Sequence, residues 1–237
     1  YKGLCMLNFV AFTSMSKDYY ERCGKHMISS YKRYWQGVMP LYLYNEDNFT
    51  INESWINYMG WALGPEYDQF QNRHQNKRVK TFAKKGFSII DAMNNIKAKK
   101  IIWLDADVVI EQSIPVDFLN RLLPDDTLST HFSVWHTKNN INYHSCETGF
   151  FMLNKTHKGF EDFKNTYTDI YHNDKNDGLR RFYDGEIYGK TVEKMEANGY
   201  KINNLNPGKH KTPMKRSIIK KYVTHFKAGL KDRILTS

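Results

Sequence analysis

The chain has 237 residues, 41% hydrophobic and 15% aromatic, enough to build one sizeable core and too apolar for a disordered segment. No run of 18 apolar residues occurs, so no membrane-spanning helix is expected. The formal charge of +10 favours anionic partners (nucleotides, nucleic acid or anionic lipid) without choosing among them. The three cysteines, Cys5, Cys23 and Cys146, form neither a zinc pattern nor a disulfide framework, so a reducing cytosol is the simpler compartment. No leader sequence is legible, and the chain opens on Tyr1 instead of Met, which leaves its natural start open.

Residues 4–13 are apolar and β-rich and predict a first strand. A helix is expected over about 17–35, capped by Ser16, with Tyr19, Cys23, Met27 and Tyr31 recurring every fourth residue. Residues 39–44 read as a second strand. A β-α-β opening implies a parallel sheet. The Trp- and Tyr-rich stretch 51–66 reads as a short helix and a loop. Residues 67–97 read as helix in two pieces, with an apolar stripe through Val79, Phe82, Ala83, Ile90 and Met93. Gly86 falls on that stripe, where a close packing partner is expected, and Lys84 and Lys85 lie beside it.

A central strand follows, and Ser113 and Pro115 start a short helix. Residues 127–135 read as a strand and the Asn-rich 138–144 as a loop. Residues 147–154 pass from a polar start into an apolar strand. Helix is expected over 160–171 and again after Tyr183-Asp184-Gly185-Glu186, ending near Gly199. A short strand is expected over 200–205, and Lys and Arg crowd 209–233. No internal repeat or low-complexity linker divides the chain, which reads as one domain.

The central stretch, 101–110, is a buried-looking apolar strand that runs into Asp105-Ala106-Asp107. Strands of an open α/β sheet end at the crevice where ligands sit. Two acids there are costly to bury unless a cation pairs with them. Carboxylate oxygens suit Mg²⁺ or Mn²⁺, and Mg²⁺ completes its shell with substrate phosphates. The plain alternative is a solvated turn that holds two aspartates. A haloacid-dehalogenase-type phosphatase also uses Asp-x-Asp after a strand. There the pair stands near the domain's start, whereas about a hundred residues precede it here, and no later Gly-Asp-x-x-x-Asp motif follows.

The order β-α-β, long helix, apolar strand, Asp105-Ala106-Asp107 resembles the A-type glycosyltransferase fold, a mixed, mostly parallel α/β sheet flanked by helices. A second match lies about 120 residues on. His225-Phe226-Lys227-Ala228-Gly229-Leu230-Lys231 is similar to the His-Phe-x-Gly-x-x-Lys-Pro-Trp end of glycogenin-like and lipopolysaccharide glucosyl- and galactosyltransferases. The glycine comes one place late, and Asp232-Arg233 stands where that family has Pro-Trp. The resemblance implies a metal site of Asp105, Asp107 and His225 holding Mn²⁺ or Mg²⁺, with Asp105 also facing the donor. It implies that Lys231 contacts the leaving diphosphate. It further implies a nucleotide-sugar donor (a UDP-sugar foremost), a glycan, lipid-linked or protein acceptor, and a leaning towards retention. Residues 1–110 then form the nucleotide-sugar half and 111–237 the acceptor half.

Lys85 is placed to reach the phosphates, with a solvated helix lysine as the bland alternative. Thr13 and Ser14, at the end of the first strand, are expected to meet the nucleoside. Glu147 and Asp184 are the acceptor-side acids, catalytic candidates for taking the acceptor proton or orienting sugar hydroxyls, although Asp184 equally suits a helix N-cap. Trp103 reads as core. His131, His136 and His144 lack a metal-binding spacing. The basic run 209–233 is a solvated face, a diphosphate holder or a contact for an anionic membrane, and the weakly amphipathic 217–223 permits peripheral membrane contact. The charge and aromatic content also allow a nucleic-acid binder, but no such motif appears, and the Asp pair has the wrong sign for a phosphate backbone.

Overall fold

The structure, a computed structural model, describes residues 7–47, 49–60, 64–138, 141–174, 179, 181–207 and 212–226, with the side chains of 135–138 and 141–144 excepted. Strand β1 (Leu7–Met15) is followed by α1 (Lys17–Tyr19), a π-helical turn (Tyr20–Gly24) and α2 (Lys25–Tyr34). The expected helix is therefore one path in three windings, opened by Ser16 Oγ, which accepts from the Tyr19 amide at 3.2 Å. β2 (Leu41–Asn45) then pairs parallel to β1, completing the β-α-β unit.

The stretch expected as helix and loop contains β3 (Asn57–Met59), a three-residue edge strand parallel to β2. It is too short and too exposed to carry a period of its own, and only its partner defines it. Two helices follow, α3 (Pro65–Arg73) and α4 (Lys77–Asn95). Asn76 separates them and caps the second, accepting from the Arg78 amide at 2.9 Å. β4 (Ala98–Leu104) pairs parallel to β1 on the side away from β2. β5 (Val108–Ile110) and α5 (Val116–Leu122) come next.

β6 (Ser129–Lys138) and β7 (Ile141–Glu147) form an antiparallel pair from Phe132↔Glu147 to Lys138↔Ile141. The Asn-rich stretch expected as a loop is thus mostly strand. Local composition favours turns there, and the ladder offered by β6 overrides it. β8 (Phe150–Asn154) returns antiparallel to β4. The chain continues through α6 (Phe160–His172), α7 (Asp184–Ala197), β9 (Ile202–Asn204), α8 (Pro213–Arg216), a 3-10 turn (Ile218–Lys221) and β10 (Val223–His225). The main sheet has the order β3-β2-β1-β4-β8-β6-β7, with β9 on β6, and β10 pairs separately with β5.

Side chains alternate across this sheet and build a core on each face. Phe9 and Ala11 of β1, Ile102 and Leu104 of β4, and Phe150 and Met152 of β8 face α2 and α5. Val10, Phe12, Ile101, Trp103, Phe151 and Leu153 face α4, α6 and α7. Strands covered on both sides read as continuous apolar runs, which is why these were legible. In the basic C-terminal stretch Ile219, Tyr222 and Val223 are buried against the protein, while Ile218 is exposed. Among the described residues no helix is long and apolar enough to cross a membrane.

Gly86 owes its identity to Tyr171 of α6. A Cβ at Gly86 would run into the Tyr171 ring at Cζ and Cε1, and that ring is fully buried. Gly86→Ala should therefore cost about 1–3 kcal/mol by overpacking, measured as a lower melting temperature. The same change in a Tyr171→Leu background should cost clearly less, and an equal cost in both would remove the ring as the cause.

Candidate active site

The sheet changes direction at β1. From it the chain moves to β2 on one side and later to β4 on the other, so the carboxyl ends of β1 and β4 flank a topological switch point, the usual ligand crevice of an open α/β sheet. The Asp pair emerges there. The Asp105 amide donates to Gly149 O at 2.9 Å, which pins the turn to the start of β8, and the Val108 amide closes it on Asp105 O at 3.0 Å. β10 adds antiparallel to β5 with His225 opposite Val108, and the Phe226 amide donates to Asp107 O at 3.0 Å. Strand pairing thus carries His225 to the acids.

Asp105, Asp107 and His225 each present a ligand atom, all within 4.8 Å of one another. His225 Nε2 lies 3.1 Å from Asp107 Oδ1 and 3.7 Å from Asp105 Oδ2. The opposite ring nitrogen, Nδ1, lies 2.8 Å from Glu147 Oε1. Burial disfavours the charged ring, but hydrogen bonds to Asp107 and Glu147 outweigh it and push the His225 pKa up to about 10. Gly149 makes room, since a Cβ there would lie 2.6 Å from His225 Nδ1.

Lys85 of α4 closes the cluster from the other side. Its Nζ is 2.6 Å from Asp105 Oδ1, 2.9 Å from Asp184 Oδ2 and 2.9 Å from Thr148 O, and its side chain is only 11% exposed. Burial opposes its charge, yet Asp105 and Asp184 hold its pKa above the usual lysine range. Asp184 is likewise kept below the usual carboxylate range against burial, by Lys85 and by Thr148 Oγ1, which donates to Oδ2 at 2.5 Å. Asp105 is raised, because its burial and the charge of Asp107 outweigh Lys85.

Among the described residues, four carboxylates (Asp105, Asp107, Glu147, Asp184) gather around one lysine and one histidine, an excess of acidic groups over cationic ones. That excess and the carboxylate–imidazole donors fit a divalent cation. Ligands bonded at ~2.0–2.2 Å stand at most about 4.4 Å apart, so small movements suffice. Were a metal held at Nε2, that nitrogen would be unprotonated, and Glu147, 2.8 Å from Nδ1, would keep the ring's orientation.

A cavity of about 190 Å³ adjoins the cluster, lined among others by Ser14, Ser16, Tyr19, Glu46, Lys85 and Asp184. Ser14 donates to Glu46 at 2.9 Å and so faces this space, whereas Thr13, also expected to meet the nucleoside, is fully buried beside Leu43. Glu147 is 4% exposed, its carboxylate against His225. Asp184 is the first residue of α7, and Tyr183 takes the cap position. Lys231 lies outside the described residues. His131 is buried and 3.0 Å from Ser133 Oγ, while His136 and His144 have no described side chains.

Two contributors escape sequence reasoning. Trp103 is core, as its apolar setting implies, but its indole also donates to Asp105 Oδ1 at 2.7 Å. The signal was available, because residues two apart on a strand share a face. Thr148 gave none, since its two partners come from distant helices.

Mn²⁺ should stabilise the protein by about 2.7 kcal/mol at a hundredfold excess over Kd, read as a thermal shift. Asp107→Asn and Gly149→Ala should each remove most of that shift, the second by displacing the His225 ring. A full shift in both variants would place the ion elsewhere.

No protein-family model and no curated protein sequence matches this chain. Solved structures do. A galactosyltransferase, LgtC, in complex with donor and acceptor sugar analogs aligns over 95% of this chain and 94% of its own, at TM-score 0.55 and 11% identity. Mouse xyloside xylosyltransferase 1 aligns over 84% and 86%, at 0.53 and 12%. A glycosyltransferase involved in glycosylation of the major capsid of PBCV-1 aligns over 97% and 100%, at 0.51 and 11%. Together with the sheet order and the strand-end acids, these likenesses identify the fold as that of the A-type glycosyltransferases.

Proposed function

We propose that this chain is a metal-dependent glycosyltransferase that moves a sugar from a nucleotide-sugar donor to a hydroxyl-bearing acceptor. The observation that carries the reading is the convergence of Asp105, Asp107 and His225 at the switch point, with Lys85 bridging Asp105 and Asp184 beside them. In such a transfer the bond from the sugar's anomeric carbon to the diphosphate breaks, a bond to the acceptor oxygen forms, and the acceptor hydroxyl gives its proton to an oxygen of the departing diphosphate. Negative charge collects on the departing diphosphate, so cations already in place lower the barrier. A bound Mn²⁺ or Mg²⁺, held by Asp105, Asp107 and His225, would supply Lewis-acid stabilisation of that charge.

The remaining roles follow from surroundings. Lys85 is a fixed, buried cation whose four polar contacts leave it no need to reorganise during reaction. Asp184 accepts from both Lys85 and Thr148, and its depressed pKa makes it a poor base at neutral pH. We assign it to holding Lys85 and orienting sugar hydroxyls. Glu147 orients His225. Ser14, Ser16 and Glu46 offer hydroxyl and carboxylate groups to the donor. A 190 Å³ cavity is smaller than the ~300 Å³ at which ligand sites begin, so it takes only one part of a nucleotide sugar.

The direct test is binding of UDP with and without Mn²⁺, followed by a panel of nucleotide sugars scored for donor hydrolysis. Metal-dependent UDP binding and turnover of at least one donor are expected. If no nucleotide binds with metal present, the proposal fails. Lys85→Ala should lower turnover about a hundredfold, the scale of losing one preorganised donor, while donor affinity changes less than tenfold. Equal losses in both would make Lys85 a ground-state binding residue.

A further inference from the structure

A second and larger cavity, about 690 Å³, lies beside the first. Its walls include Asn76, Arg78 and Phe82 at the start of α4 and Arg181, Phe182 and Tyr183 leading into α7. Phe82 lines both cavities, and its ring centre is 6.3 Å from that of Tyr183, the residue before Asp184. The two spaces are therefore neighbouring compartments. Arg78, Phe82 and Lys85 fall at i, i+4 and i+7, on one face of α4. The rise of the helix puts Arg78 about 10 Å along that face from Lys85.

The chemistry of this cavity differs from that of the first. Among the described residues, its charged lining residues are two arginines, with no acid among them. Arg22 and Arg73 pair with Asp18 and Asp174, but among the described residues neither Arg78 nor Arg181 is ion-paired. The Arg78 guanidinium stands 5.4 Å over the Phe82 ring, which holds it without neutralising it. Two exposed guanidinium groups that line one cavity and have no ion-pair partner among the described residues suit an oxyanion, because their planar forks match carboxylate or phosphate. Phe82 and Tyr183 supply apolar faces between those arginines and Asp184. A volume of this size lies in the range of small-ligand sites.

We propose that the acceptor is a saccharide bearing an oxyanion, a carboxylate or a phosphate, held by Arg78 and Arg181. Its body lies along Phe82 and Tyr183, and its reactive hydroxyl reaches Asp184. This rests on the glycosyltransferase reading above and narrows its acceptor to an anionic class.

The test measures equilibrium binding to the full chain of three probes: a hexuronate-containing disaccharide, a hexose 6-phosphate and an uncharged disaccharide. UDP–Mn²⁺ binding is measured beside them in the parent, Arg78→Ala, Arg181→Ala and the double variant. At least one charged probe should bind about tenfold or more tighter than the uncharged one, and which of the two does so tells carboxylate from phosphate. The preference should weaken in each single variant and vanish in the double variant, while UDP–Mn²⁺ binding stays at the parent value and reports an intact fold. A charge preference that is absent, or that survives loss of both arginines, overturns the proposal and leaves the transferase reading standing. Absence of UDP–Mn²⁺ binding in the parent sinks the transferase reading and the acceptor assignment with it.

Discussion

The architecture turns on the burial of acids at one end of a sheet. Asp105 and Asp107, Glu147, and Asp184 converge from three places in the chain, with Asp107 and Glu147 buried and the other two partly so. Isolated, each would cost several kcal/mol to desolvate. Lys85 and His225 make the arrangement tenable, each bridging two or more carboxylates. The opposed pKa shifts express this balance, with Asp184 lowered where Lys85 dominates and Asp105 raised where burial and a like charge dominate. Such a cluster specifies one geometry, because losing Lys85 would take the cation away from Asp105 and Asp184 together.

The rest of the fold holds those groups in register. The antiparallel pairing of β8 with β4 brings Thr148 and Gly149 to Asp105, and that of β10 with β5 brings His225 to Asp107. Both pairings are between residues far apart in sequence, so backbone ladders set the places of these groups. Glycine recurs where elements come closest: Gly149 under the His225 ring and Gly86 under Tyr171. α4 contributes twice along one face, with Lys85 at the acids and Arg78 at the neighbouring cavity. A single helix therefore lines both cavities.

The sequence by itself determined the elements whose cause is local. Apolar runs marked β1, β2, β4 and β8, since strands buried on both faces need no polar side. Ser16 and Pro115 marked helix starts, and Asp105-Ala106-Asp107 stood out because acids after an apolar strand demand a cation. His225 was reachable only through a family-like motif, as nothing local explains a lone histidine. Tertiary structure alone decided β3 and β7, whose short or polar sequences become strands only beside a partner. It also decided that Glu147 backs His225, that Thr148 joins Lys85 and Asp184, and that Trp103 donates to Asp105. The reason is the same in each case. A strand or helix fixes its own side-chain period from adjacent residues, but which side chains meet across elements depends on pairings that close over tens of residues, and no local pattern encodes those distances.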